Sequence, residues 1–372
     1  MKTEKAWHKH YPEYISPDME LPMKTVNEIL KETVEQIPDQ IAISFFTKEI
    51  TYKELGIFTS MFASSLQQEG IQKGDRIAIM LPNCPQYIVA YYGILQVGSI
   101  VTQVNPMYLE NELLHILNDS GAKTIVVFEP LYLRIKAIAE KIALEKIIVV
   151  SFEPEKLALI EDQSFESFIL NGMSPPVPVK IDPLEDIAVL QYTGGTTGLS
   201  KGAMLTHRNI AVNIQQSHAI FQKELKFGEE SCLAIIPLFH VFGMSACINL
   251  SILVGAKIIL LPRFELEEVL NTIKVEQPTT FPGVPTMYIA LLSHPRAEEY
   301  GIDCIRLCNS GSAPMPVQTM NEFEGKTGAK ILEGFGLSEA SPVSHVNPPF
   351  AERKPGSVGI GLPCTDYKIV EN

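Results

Sequence analysis

The residues Tyr192 to Gly202, YTGGTTGLSKG, bring together the groups that hold a polyphosphate. Gly194, Gly195 and Gly198 let backbone N–H groups approach an anion with no Cβ in the way. Thr193, Thr196, Thr197 and Ser200 add hydroxyl donors, and Lys201 adds a positive charge. The spacing is not that of the Walker A loop, where the second glycine directly precedes the lysine. Here Gly198 stands three residues before Lys201, and Gly202 follows it. An ordinary loop rich in small residues can have this composition. The placement favours a phosphate cradle, because the apolar run DIAVL precedes the loop and the helix-compatible HRNIAVNIQQSH follows it.

Such a loop needs a sheet to carry it. RIAIM (76–80), TIVVF (124–128), KIIVV (146–150), DIAVL (186–190) and KIILL (257–261) read as strands. They are continuously apolar rather than alternating, so both faces of the sheet are expected to be covered. Leu55, Phe58, Phe62 and Leu66 share one helical face, as do Leu266, Val269, Leu270 and Ile273. Asn105–Pro106–Met107 breaks the chain before a helical stretch near 110–120. Strands alternating with helices predict crossover units and mostly parallel sheets, an α/β fold. The stretch SPPVPVKIDP (174–183) has four prolines in ten residues and cannot be helical. It divides the chain into an expected first α/β subdomain, 1–180, and a second, 181–372.

Composition bounds the rest. The 372 residues suffice for a sizeable core, and 46% apolar with 20% charged residues excludes a mainly disordered chain. A net charge of −13 argues against general nucleic-acid binding, while a local basic phosphate site stays possible. Six cysteines without a C-x-x-C pair fit a reducing compartment, and Cys304 and Cys308 read as small buried hydrophobes. No signal-peptide core opens the chain. Residues 232–256 carry no Asp, Glu, Lys or Arg and are long enough to span a bilayer. Pro237, His240 and Asn249 interrupt them, so buried core is the expectation.

With three further blocks, IIPLFHVFGM (235–244), NSGSAPMP (309–316) and EGFGLSEASP (333–342), the loop resembles the adenylate-forming superfamily of acyl-CoA synthetases and luciferases. The blocks stand in that family's order. KAWHKHYPE, RIAIMLPNCPQY and FPGVPTMYIALLSHP extend the likeness over nearly the whole chain, nearest to bacterial long-chain fatty acid–CoA ligases. The resemblance implies a large N-terminal adenylation domain of stacked α/β subdomains. It also implies a two-step reaction. A fatty carboxylate attacks the α-phosphate of Mg-ATP, giving an acyl-adenylate and pyrophosphate. The thiol of coenzyme A then displaces AMP.

By the same resemblance, Thr193, Gly194, Gly195, Thr196, Thr197, Gly198 and Lys201 would hold the phosphates. Thr193 and Glu339 would hold Mg²⁺. Gly334, Phe335 and Gly336 would form the adenine slot, with Gly311 beside it and Ser338 offering a hydroxyl to a phosphate. Phe335 stands where the family often has Tyr, which keeps the stacking face and loses a hydroxyl. His240 would lie near the reacting carboxylate, making Lys201, His240 and Glu339 the catalytic candidates. His207 reads as a helix-start or packing residue. The implied setting is cytoplasmic, with room for a homodimer and for peripheral contact with the inner membrane face.

YKIVEN (367–372) reads as a strand just begun, and the family normally continues well beyond this point, through a hinge and a small C-terminal domain with a lysine. The expectation is therefore an incomplete N-terminal part that adenylates poorly, its C-terminal domain absent. Two alternatives stay open: an adenylating enzyme for another carboxylic acid, and a non-catalytic nucleotide binder.

Overall fold

The computed structural model describes residues 5–194, 198–349 and 352–370. Gly195, Thr196 and Thr197 of the phosphate loop lie outside the described residues.

Helix α1 (Val26–Gln36) leads into the hairpin β1 (Ile41–Phe45) and β2 (Lys48–Thr51). Then come α2 (Tyr52–Gln68), β3 (Arg76–Met80), α3 (Pro85–Gln96), β4 (Ile100–Gln103), α4 (Glu110–Ser120) and β5 (Thr124–Phe128). Further strands are β6 (Lys146–Val150), β7 (Gln163–Ser164), β8 (Ile187–Thr193), β9 (Lys201–Thr206), β10 (Ser231–Ala234), β11 (Lys257–Leu260) and β12 (Thr280–Gly283). The series ends with β13 (Leu307–Ser310), β14 (Lys330–Gly336), β15 (Val343–Val346) and β16 (Ile360–Gly361). The five apolar runs all form strands, and both predicted amphipathic faces lie on helices.

Two sheets result. One has the order β7-β6-β5-β3-β4-β8-β9, the other β16-β15-β14-β13-β12-β10-β11-β1-β2. Pairing is parallel except at the margins, where β8–β9, β1–β2, β14–β15 and β15–β16 are antiparallel. The α/β class with mostly parallel sheets is therefore correct.

The strand order does not follow the division at 180/181. β8 and β9 follow the proline-rich segment yet complete the first sheet, while β1 and β2 precede it and close the other. Proline fixes an extended local conformation, but it does not decide which sheet the next strand joins. The segment instead runs against the first half, where the Gln67 amide donates to the Val177 carbonyl at 2.8 Å.

Side-chain alternation stacks the layers. Ile77 and Ile79 of β3, with Ile258 and Leu260 of β11, face a core that also contains α1, α2, α3 and the helix His207–Phe221. Their neighbours Ala78 and Met80 face a core with α4, while Ile259 and Leu261 face another with the helix Leu266–Glu276. Each strand thus buries both faces, which is why these runs are continuously apolar.

The apolar stretch 232–256 is not one helix. It supplies β10, a turn, a π-helix over Gly243–Asn249 and the short helix Leu250–Leu253, nearly all buried. Among the described residues no helix is long and apolar enough to cross a membrane. The strand expected from Tyr367 does not form over the described residues 367–370. Tyr367 instead stacks on Trp7 with ring centroids 4.1 Å apart. Its partner is a ring, so no ladder organises the backbone.

His207 is a packing residue, as expected. It is fully buried, and its Nδ1 accepts the Val26 N–H at 3.2 Å. Burial lowers its pKa to about 4. The unfolded chain, with histidine near 6.5, binds this proton first, so stability falls as pH drops from about 6.5 towards 4. The shift corresponds to roughly 3 kcal/mol lost below that window. His207→Asn keeps an acceptor near the Nδ1 position. Urea unfolding between pH 7 and 4 is expected to show a shallower pH dependence for the variant, although it is less stable at pH 7. Parallel curves for the two proteins would assign the slope to other groups.

Candidate active site

A cavity of about 560 Å³ opens where carboxyl ends of strands from both sheets meet. Thr193 closes β8, Gly311 and Ser312 follow β13, and Gly334–Gly336 close β14. Parallel strands place their ligand sites at this end. Of the residues singled out in the sequence, Thr193, Gly194, His240, Gly311, Gly334, Phe335, Gly336, Ser338 and Glu339 line it together. Gly198 and Lys201 are not among the lining residues. Lys201 opens β9 opposite Thr193, with its side chain exposed.

The loop is set differently from the sequence expectation. It joins two antiparallel strands, and β9 stands between it and the helix His207–Phe221. KGAMLT lacks an apolar run because β9 is a sheet edge, with Met204 67% exposed. The helix begins one residue after Thr206, whose hydroxyl oxygen accepts the Asn209 N–H.

His240 sits in the turn after β10, open to the cavity on one side. Its Nδ1 accepts the Phe242 N–H at 3.2 Å, so the neutral ring carries its proton on Nε2. The protein packed around it lowers its pKa by desolvation and favours that neutral form. His240 is therefore a neutral donor, suited to an oxygen that gains charge.

Two residues the sequence reading did not single out hold this turn. The Asn83 amide donates to the carbonyls of Ala234 and Ile236 at 3.2 and 3.1 Å, and its oxygen accepts the Leu238 N–H at 2.9 Å. The Gln191 amide donates to the Phe239 carbonyl at 3.2 Å. Asn83 lies in LPNCPQY, a segment noted only for its family likeness. A buried amide satisfying three backbone groups 150 residues away leaves no local pattern.

Phe335 is 46% exposed and presents its ring to the cavity. Gly336 is required here, because a Cβ would overlap the Pro342 carbonyl oxygen. Glu339 lies on a tight turn over Ser338–Ala340. The turn is closed by Leu337 N–H to Pro342 O and Ala340 N–H to Leu337 O, both at 2.9 Å. Glu339 is exposed, and among the described residues no hydrogen bond or ion pair engages it. The buried Glu333 does structural work instead. Its two oxygens accept the N–H groups of Met315 and Gly356 at 3.3 and 2.8 Å, fixing the NSGSAPMP loop.

Thr193 and Glu339 offer one hydroxyl and one carboxylate in the same cavity. Among the described residues no group of three or more His, Cys, Asp or Glu is arranged to hold a metal ion. Hard oxygen donors in small number suit Mg²⁺ shared with phosphates and water, rather than a metal held by protein alone. A second, narrow cavity of about 40 Å³ shares Asn309 with the first and is walled by Ala246, Leu250 and Pro282.

Comparison with known proteins agrees with this geometry. The profile of a family described as AMP-binding enzyme matches residues 30–372. The chain is 41% identical to a long-chain-fatty-acid–CoA ligase of Bacillus subtilis (strain 168), over 99% of this chain and 70% of that protein. It superposes on a long-chain-fatty-acid–CoA ligase from Archaeoglobus fulgidus with a TM-score of 0.83 at 26% identity, covering 93% of this chain and 70% of the other. It has the fold of an anthranilate CoA ligase in complex with anthranoyl-AMP, with a TM-score of 0.83 at 24% identity, covering 92% of this chain and 65% of that one.

Proposed function

Since the chain belongs to the AMP-binding enzyme family, we propose that it activates a long-chain fatty acid with ATP, as the adenylating part of a fatty acid–CoA ligase. The observation that carries this reading is the convergence of Thr193, His240, Gly311, Phe335 and Glu339 on one cavity at the strand ends. The Bacillus subtilis relative's name supports the substrate class.

The fatty carboxylate is already ionised at neutral pH, so the first step needs no base. Its oxygen attacks the α-phosphorus, the bond to the bridging oxygen breaks, and pyrophosphate leaves. Catalysis is then positioning and charge stabilisation. The Nε2–H of His240 is the donor available to the carboxylate or α-phosphate oxygens. Phe335 stacks on the adenine, and Gly311 and Gly334 leave room for the flat base. Gly194, Gly198 and the loop hydroxyls bind the outer phosphates, with Lys201 as a nearby cation. Ser338 donates to a phosphate oxygen. Thr193 and Glu339 would hold Mg²⁺, which when bound neutralises phosphate charge. Val241, Phe242 and Val343 give the cavity an apolar wall for the start of the acyl chain, and the narrow cavity beyond Ala246 extends that wall. Coenzyme A is the second-step co-substrate. A cytoplasmic enzyme drawing its acid from the inner membrane face accords with this reading.

The test is acid-dependent ATP–pyrophosphate exchange with Mg²⁺, using palmitate, octanoate, benzoate and acetate. Palmitate is expected to support the fastest exchange. Exchange with benzoate or acetate alone would replace the substrate class. Nucleotide binding without exchange for any acid would replace adenylation by a binding role.

A further inference from the structure

Helix α4 stands outside the cavity, yet two of its side chains reach both arms of the glycine-rich hairpin. His115 Nε2 lies 2.7 Å from the carbonyl oxygen of Ser200. A carbonyl only accepts, so Nε2 carries the proton and donates it. One turn on, Asp119 accepts the Tyr192 hydroxyl at 2.6 Å. Residues four apart lie on one helix face, so both bonds issue from the same side of α4. The His115 and Tyr192 rings also meet edge-on, with centroids 6.5 Å apart.

These contacts fall where the ladder runs out. The last rungs of the hairpin pair Tyr192 with Gly202 and Thr193 with Lys201. Among the described residues, no hydrogen bond other than that from His115 reaches Gly198, Leu199 or Ser200. The platform is packed independently of these bonds. Leu113, Ile116 and Leu117 bury the opposite side of α4 in a core that does not depend on His115. Tyr192 directly precedes Thr193, which lines the cavity, so the clamp acts beside the site.

We propose that His115, seconded by Asp119, is a positioning residue for nucleotide binding. It holds the Ser200 arm of the hairpin at a set distance from the Thr193 arm, so that less order has to be imposed when the phosphates bind. The proposal rests on the reading of the cavity as an ATP site.

The decisive pair is His115→Leu and His115→Gln, since the glutamine amide nitrogen reaches where Nε2 lies. Three quantities are read for each: the ATP dependence of palmitate-driven exchange with direct ATP binding by equilibrium dialysis, amide hydrogen exchange over 198–202, and the melting midpoint. His115→Leu is expected to weaken ATP binding up to about tenfold, the worth of one hydrogen bond, and to speed amide exchange over 198–202. Its melting midpoint is expected to stay close to the parent's. His115→Gln is expected to recover most of both losses. Unchanged ATP binding and unchanged protection in His115→Leu would overturn the proposal. So would a glutamine variant as impaired as the leucine one, with both melting early, since that is the signature of lost packing. If the parent protein exchanges pyrophosphate with no acid, adenylation fails as a reading. The dialysis and amide-exchange results still decide whether His115 positions the loop.

Discussion

Glu339→Gln is expected to reduce palmitate-dependent pyrophosphate exchange by roughly 10²- to 10³-fold, the usual cost of removing one preorganised electrostatic group from a transition state. Glutamine has nearly the same size. The turn that presents residue 339 is held by backbone bonds between Leu337, Ala340 and Pro342. The next strand is held by Asn213, whose amide donates to the Val343 carbonyl at 2.7 Å and whose oxygen accepts the Val343 N–H at 3.1 Å. None of these bonds involves the carboxylate, so folding should be unaffected. What is lost is a charged oxygen facing the cavity with no competing partner among the described residues. The variant should also need more Mg²⁺ to reach half its maximal rate, and urea unfolding should be unchanged. Parent-like Mg²⁺ dependence and rate would remove Glu339 from the site.

Asn249→Leu should be the most damaging single change to stability outside the apolar core, at about 4 kcal/mol. Asn249 is fully buried at the end of the π-helix. Its amide nitrogen donates to the Tyr91 hydroxyl oxygen at 3.1 Å and to the Met244 carbonyl at 3.0 Å, and its oxygen accepts the Tyr92 hydroxyl at 2.8 Å. Leucine fits the volume approximately but leaves three buried polar groups with fewer partners, each costing about 1–3 kcal/mol. The network ties α3 to the segment that follows His240, so exchange activity should fall with stability. Tyr92→Phe removes one bond and orphans a single acceptor, the Asn249 oxygen, and should cost about 1–3 kcal/mol, less than the leucine variant. Urea midpoints of the two variants check the contrast. A leucine variant as stable as the phenylalanine one would mean that water or rearrangement satisfies the orphaned groups.

Much of this protein was legible because its signals are local. The runs at 76–80, 124–128, 146–150 and 257–260 are strands since buried parallel strands must be apolar on both faces. The faces of Leu55, Phe62 and Leu66, and of Val269, Leu270 and Ile273, follow from helical period alone. The four blocks that mark the site are short, and each lies near a strand end or in the turn after it. Their likeness to the family's blocks, more than any periodicity, therefore indicated which residues belong together.

The sequence by itself determined the α/β class, five of the buried strands and two amphipathic helix faces, and its family resemblance indicated most of the side chains gathered on the cavity. Only the tertiary structure decided which sheet each strand joins. A strand's apolar run states that it is buried, not beside whom, so β8 and β9 cross the proline-rich segment without leaving a mark in the sequence. Only it showed β9, because an edge strand with an exposed Met204 lacks the apolar run that announces a buried one. Only it brought Asn83 and Gln191 to the His240 turn, and His115 to Ser200. Those partners are polar groups far apart in the chain. A hydrogen bond depends on position to within an ångström, and such positions exist only once both sheets have packed on their shared helices.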